Sequence, residues 1–363
     1  MKRFTLWIDA IAPKPGGISR YTWELAKGLS MRDDLAVQFY GRDRIIENPA
    51  LLMRDGPLPP RSKLLRWWDK RGLASSIVHG PNYFLPAFAK TGIITVHDLS
   101  VFRFPETHPT DRIAAFEREF PSSLARATHV ITDTETVRRE LIETFNVSPD
   151  SVTAIPLGVD PSFRPIPVEE LVECLKQWGL EPKQYGLCVS TIEPRKKISA
   201  LLAAWRRLPK SLRDSYPLVL CGGPGWRNEQ LRREIDDGVA EGWLQHLGFV
   251  DDNLLPHLYA GAALFVYPSI YEGFGLPPVE AMASGVPVVV SGHSCLPEVC
   301  GDAARYIDPD DADGFAMALE EGLTDHEWQV RSVQRGLVRA RQFSWSHCVD
   351  RTIEIYRKVA SAV

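Results

Sequence analysis

The sequence has no apolar run near the roughly 18 residues that a membrane-spanning helix needs. Its opening, MKRFTLWIDAIAPKPGG, has too short an apolar core for a convincing signal peptide. It has no excess of positive charge: the formal net charge of −4 argues against a general nucleic-acid binder, whose footprint is basic. The six cysteines (174, 188, 221, 295, 300 and 348) form no CxxC pair, and several fall in apolar runs that read as core strands. That spacing indicates neither a disulfide framework nor a zinc site, and reads as reduced thiols in a cytoplasmic protein. GxGxxG is missing where the first strand ends, which counts against a dinucleotide-dependent dehydrogenase. No low-complexity tract and no repeat beyond a doubled domain pattern is found, and no Asp-x-Asp metal motif closes a strand read from the sequence.

What is present is an ordinary globular composition, 44% hydrophobic and 24% charged, in 363 residues, enough for two domains. Apolar runs at 4–9, 77–79, 93–97, within HVITDTETVRRELIETF and at 151–157 read as strands, as do 185–190, 218–221, 262–267 and 286–290. Helical segments such as 111–126 alternate with them, which implies two parallel sheets covered by helices. A proline-punctuated linker places the boundary near 163–168: one domain at 1–165, joined by a closing helix at 346–363, and one at 166–345. Residues 31–60 are poorly patterned, with Pro57, Pro59 and Pro60 marking a loop.

The most informative stretch is YPSIYEGFGLPPVEAMASGVPVVV, 267–290. A buried strand ends at Pro268, Gly273 and Gly275 permit close backbone approach, and Pro277 and Pro278 suit the first turn of a helix ending at Gly285. Amides at Phe274, Gly275 and Leu276 therefore belong to a helix N-terminus, which favours a phosphate. Glu272 precedes that point and Glu280 lies inside the helix; ionised carboxylates accept hydrogen bonds that sugar hydroxyls readily donate. Taken singly, each glutamate reads as a surface acid. Earlier in the chain Gly16 and Gly17 form a turn after the first strand, and His97-Asp98 leave another strand at the edge where open α/β sheets bind ligands. Arg195, Lys196 and Lys197 stand at a strand-to-helix turn, where cations can neutralise a leaving diphosphate.

Together, EGFGLPPVEAMASGVPVV closely resembles the Glu-x7-Glu element of retaining glycosyltransferases of the GT-B class, family 4. EPRKK, CGGPGWRNEQ, HLGFVDDNLLPHLYAGA and HSCLPEVCGDAARYIDPDD extend the resemblance over nearly the whole chain; it is weakest over 40–75, where acceptor specificity usually resides. The resemblance implies an α/β fold of two facing Rossmann-like, doubly wound domains, with the last helix crossing back to the N-terminal one. It implies that Glu272 and His97 meet the donor sugar, Glu280 the ribose, and Arg195, Lys196 and the amides of Phe274, Gly275 and Leu276 the diphosphate. Gly248, Phe249 and Val250 fall near the nucleobase, and Gly16 and Gly17 near the diphosphate and acceptor. Many relatives carry another arginine where Ser190 and Thr191 stand here, so Arg195 would supply the second cation.

The implied reaction moves a sugar from a nucleotide diphosphate donor to a hydroxyl with retention, using no metal and no cofactor beyond that co-substrate. The chain is similar to bacterial GDP-mannose-dependent α-mannosyltransferases of surface-polysaccharide assembly, with a glycan or lipid-linked acceptor. Glucose, galactose, rhamnose or N-acetylglucosamine donors, and a non-catalytic nucleotide-sugar-binding protein, stay open. The segment RSKLLRWWDKRGL (61–73) is a basic amphipathic helix, with Arg66 and Lys70 on one face and Leu64, Leu65 and Trp68 on another. It is expected to pack its tryptophans inward, with contact to an inner-membrane surface as the other reading.

Overall fold

The computed structural model describes residues 2–13, 16–54, 56, 58–73, 75–223, 225 and 229–362. Pro57, and part of CGGPGWRNEQ, lie outside the described residues. The chain divides into two compact units: residues 1–103, 110–158 and 344–363, and residues 104–109 and 159–343.

The first unit is built on a seven-stranded sheet of order β3-β2-β1-β4-β5-β6-β7. Its strands are β1 (Phe4–Trp7), β2 (Val37–Gly41), β3 (Arg44–Ile46), β4 (Ile77–Gly80), β5 (Gly92–Val96), β6 (Ala127–Thr132) and β7 (Val152–Ala154). All neighbouring pairs are parallel except β2 and β3. Those two lie within 31–60, the stretch whose sequence shows no clear pattern. They join through Arg42 and Asp43, with φ of 50° and 59°, a left-handed two-residue turn that the usual Asn-Gly signal does not announce. Buried apolar residues of β4, β5 and β6, including Val78, Ile94, Val96 and Val130, pack with Phe116, Phe120 and Leu141 of the covering helices.

The final helix, Trp345–Ala362, belongs to this unit. Tyr356 stacks on Phe4 at 4.6 Å and bonds His79 Nδ1 through its hydroxyl at 2.8 Å. A Cβ on Gly28 of helix Gly17–Ser30 would lie 2.6 Å from Val349, so only glycine allows the two helices this approach.

In the second unit six parallel strands run in the order β10-β9-β8-β11-β12-β13. They are β8 (Gly186–Val189), β9 (Leu218–Cys221), β10 (Leu244–His246), β11 (Leu264–Tyr267), β12 (Val288–Ser291) and β13 (Ala304–Ile307). β9, β11 and β12 are buried along their whole length, as parallel strands covered on both faces must be. The edge strands β10 and β13 are short and only partly buried, and carry no apolar run to reveal them. The join lies at 158/159 rather than 163–168 because the linker is already bonded to the second unit: Val159 N donates to Phe343 O at 3.3 Å, and Phe163 meets Tyr259 edge-on at 5.4 Å.

Both sheets share one logic. Strand order reverses beside β1 in the first and beside β8 in the second, and such switch points open a crevice at the carboxyl ends of the flanking strands.

Candidate active site

In the second unit the switch point lies between β8 and β11, which pair directly. After β8 the chain makes a 3-10 turn, Pro194–Lys196, and enters helix Ile198–Arg207. After β11 it turns at Pro268 and runs through Ser269–Glu272. The two loops are stitched together: Ile270 N donates to Arg195 O at 3.1 Å, and the Arg195 guanidinium donates to Tyr271 O and, at 2.9 Å, to Glu193. This stitching places Lys196 Nζ 2.5 Å from Glu272 Oε1 and 3.1 Å from the Tyr267 hydroxyl, which itself donates to Oε1 at 2.9 Å. Arg195 Nη1 stands 3.7 Å from Glu272 Oε2. From β12's loop, the Ser294 hydroxyl donates to Glu272 O at 2.7 Å and Cys295 Sγ does so at 3.1 Å, so the glutamate backbone is fixed as well.

Lys196 and Glu272 are only 7% and 8% exposed, so their charges act with little screening. Burial alone would raise the Glu272 carboxyl, but Lys196 and Arg195 outweigh it and hold it below its ordinary range. Burial and the neighbouring Glu272 charge push Tyr267 well up, so its proton stays available as a donor. The result is an ionised carboxylate beside two buried cations, all on rigid strand ends.

The next element is helix Leu276–Ala283. Gly275 precedes it with φ 89°, and a Cβ there would lie 2.8 Å from Leu296, so the turn requires glycine. Phe274 is buried, edge-on to Phe343 at 5.3 Å. Glu280 is buried in the helix, and its charge bears on Tyr259 and Cys221; burial foremost pushes that thiol up to about 12. Gly248 has φ 64° and bonds Gly222 N through its carbonyl at 2.7 Å; Phe249 beside it is half exposed and Val250 buried. Lys197 parts from its two basic neighbours and pairs with Asp310 at 2.7 Å. Asp308-Pro309-Asp310 does follow a strand, the unread β13. These carboxylates are exposed and serve the turn, Asp310 N donating to Asp308 Oδ1 at 2.9 Å.

In the first unit Gly16 caps helix Gly17–Ser30, with open space where its Cβ would be. His97 and Asp133 follow β5 and β6, whose last residues Val96 and Thr132 are in register. His97 is buried and engaged at both ring nitrogens, Nδ1 with Asp133 Oδ2 at 2.8 Å and Nε2 with Pro81 O at 2.9 Å. Sequence reasoning named His97 but missed Asp133, and likewise missed Tyr267, Glu193 and Ser294. Strand register alone reveals Asp133; Glu193 and Tyr267 lie inside EPRKK and the 267–290 stretch without a pattern that singles them out, and Ser294 carries no sequence signal.

Helix Lys63–Leu73 does not pack its tryptophans inward as expected. Its basic face meets the β2–β3 turn, where half-exposed Arg66 and Lys70 pair with Asp43 at 3.5 and 2.9 Å, and only Leu73 of the helix is buried. Leu64, Leu65, Trp67 and Trp68 are 47–65% exposed. Among the described residues no helix is long and apolar enough to cross a membrane.

A pair of doubly wound units, the second with a carboxylate and two cations at its switch point, has the GT-B fold, and the family models make its class a glycosyltransferase. Residues 175–337 match the family model of glycosyl transferases group 1, and 15–163 that of glycosyltransferase family 4. The chain belongs to glycosyltransferase family 4. It is 38% identical to the O-antigen chain mannosyltransferase B of Escherichia coli, over 94% of this chain and 96% of that protein. It is 32% identical to the serotype-specific mannosyltransferase WbdA of Escherichia coli, over 69% of this chain and 30% of that longer one. A sucrose-phosphate synthase from Thermosynechococcus elongatus superposes with a TM-score of 0.74 at 20% identity, covering 100% of both chains, a likeness of fold.

Proposed function

We propose that this glycosyltransferase moves mannose from GDP-mannose, with retained configuration, to a hydroxyl of a glycan or lipid-linked acceptor in surface-polysaccharide synthesis. The observation that carries the reaction type is the buried Lys196–Glu272–Arg195 cluster at the switch point. The end-to-end similarity to an O-antigen mannosyltransferase supports the sugar. In this reading Glu272 accepts hydrogen bonds from donor hydroxyls, Lys196 and Arg195 face the diphosphate together with the amides of Phe274, Gly275 and Leu276, and Glu280 takes the ribose. Gly248, Phe249 and Val250 flank the base, and Gly16, Gly17 and His97 serve from the first unit.

Before the donor arrives Lys196 and Glu272 satisfy each other. A diphosphate gives Lys196 a stronger anion, which leaves Glu272 Oε1 shared with Tyr267 alone and able to accept from a sugar hydroxyl. At the transition state the C1–O bond breaks and negative charge builds on the leaving diphosphate, where two preorganised cations act most strongly. The acceptor oxygen bonds C1 on the same face, and its proton passes to the departing phosphate oxygen. With two cations and a helix N-terminus in place, the chemistry needs no metal. Calorimetric titration with GDP, UDP and NAD in EDTA tests the reading: selective GDP binding supports it, selective UDP binding overturns the donor, and NAD binding alone overturns the class.

We also infer that helix Lys63–Leu73 rests on an anionic lipid surface. Its outward face joins Trp67 and Trp68, edge-on at 5.3 Å, to Leu64 and Leu65, with exposed Lys63 and Arg71 alongside, the composition of an interfacial helix. The protein should sediment with phosphatidylglycerol vesicles and not with phosphatidylcholine ones, and a Trp67→Ser/Trp68→Ser variant should stay in solution. Equal sedimentation of that variant would refute the contact.

A further inference from the structure

The His97–Asp133 pair is a buried, titratable group that the transfer chemistry above does not use. Pro81 O can only accept, so the 2.9 Å bond requires a proton on His97 Nε2. The 2.8 Å bond between Nδ1 and Asp133 Oδ2 requires a second proton on one of those two atoms. The pair therefore stores one proton more than a lone neutral histidine. Register explains its geometry: β5 and β6 run parallel with Val96 opposite Thr132, so the next residues of both chains leave the sheet side by side. Burial disfavours the His97 cation, but the Asp133 charge and hydrogen bond prevail and raise its proton affinity.

The rings packed on His97 are neutral. Tyr21 lies edge-on at 4.9 Å and Tyr83 at 5.8 Å, both with proton affinities pushed well up, chiefly by burial. His79 of β4 is held down to about 3 by burial, so it is neutral. Cys348 of the final helix is likewise pushed up by burial, and Arg112 acts on Tyr83. The charges that bear on His97 are those of Asp133 and Asp98, and both favour its proton. Asp133 Oδ1 is buried without a hydrogen-bond partner among the described residues, so this carboxylate is committed to His97 alone.

We propose that Asp133 is the positioning residue of His97: with Nδ1 on Asp133 and Nε2–H on Pro81 O the ring is locked in one orientation and holds the second proton, so that His97 serves the reacting sugar as a fixed positive edge rather than as a free donor. This rests on the reading that His97 serves the donor sugar. The tautomer and charge of one imidazole nitrogen are set by what the other touches, and here both partners are fixed.

The test is Asp133→Asn in the full-length protein. The amide keeps the shape and can donate to Nδ1, which leaves Nε2–H in place but holds no second proton. In ¹⁵N-histidine NMR, wild-type His97 should keep both protons from pH 6 to 8.5, whereas in the variant it should lose one near or below the ordinary value of about 6.5. With GDP-mannose the wild-type kcat should be flat over that range. In the variant kcat should fall roughly tenfold as pH rises through the new ionisation, with KM little changed. A wild-type ring that carries a single proton at pH 7.5, or a variant whose pH profile superposes on the wild type, overturns the proposal. His97→Gln separates the two claims: full activity there ends the donor-sugar role, while the NMR titration still decides what Asp133 does to the ring.

Discussion

Lys196→Met is the sharpest single perturbation of the second unit. Methionine replaces the lysine stem with little change in volume and removes only the charge. Deleting one partner of a buried ion pair costs about 3–5 kcal/mol. Here Tyr267 still donates at 2.9 Å and Arg195 still stands 3.7 Å away, so the low end, about 3 kcal/mol, is expected. For a domain of this size that corresponds to a Tm lower by roughly 6–12 °C. The sign of the pH dependence follows from Glu272. Its carboxyl is held below the ordinary range, so its contribution is present above the unfolded value, about 4.3, and is lost as pH falls through the folded one. The Tm gap between wild type and variant should thus be full at pH 7 and begin to narrow only as pH falls below the unfolded value of about 4.3. Loss of a donor to the leaving group should lower kcat by about 10²–10³-fold. Calorimetry at several pH values and a donor-turnover assay read both effects. A Tm within a degree of wild type at pH 7, or kcat within threefold, would refute the placement of Lys196.

Other expectations follow from single contacts. Tyr267→Phe removes the hydroxyl that bridges Lys196 and Glu272 and should cost about 1–1.5 kcal/mol, seen as a lower Tm and a several-fold higher donor KM; unchanged values would show the bridge to be idle. Gly275→Ala puts a Cβ 2.8 Å from Leu296 at φ 89°, so it should destabilise by about 1–2 kcal/mol and weaken GDP binding, and unaltered affinity would detach that helix start from the diphosphate. Transfer should proceed unchanged in EDTA, and a loss that Mg²⁺ or Mn²⁺ reverses would count against metal-independent chemistry.

Much of this was legible in the residues. Fully buried strands such as LFVY at 264–267 announce themselves as apolar runs, and their alternation with helices implies the doubly wound sheets. EPRKK and Glu272 mark the candidate cluster because each follows one of two strands, β8 and β11, that pair directly. The β2–β3 hairpin was hidden, since Arg42 and Asp43 take left-handed backbone without glycine or asparagine. Helix Lys63–Leu73 misled for a different reason. Amphipathicity defines two faces but not which one docks, and Asp43 in the β2–β3 turn pairs with the basic face and leaves the apolar one outward. Asp133 meets His97, 36 residues away, and Tyr267 meets Lys196, 71 residues away, both through strand pairing, which local patterns do not encode.

The measurement that bears most directly on the function is product analysis after incubating the purified protein with GDP-mannose and a mannosylated lipid-linked acceptor in EDTA. The account predicts transfer of one or more mannoses in α linkage, with UDP-sugars inert and Lys196→Met nearly so. Transfer from a UDP-sugar alone, a β-linked product, or full activity of the Lys196 variant would contradict it.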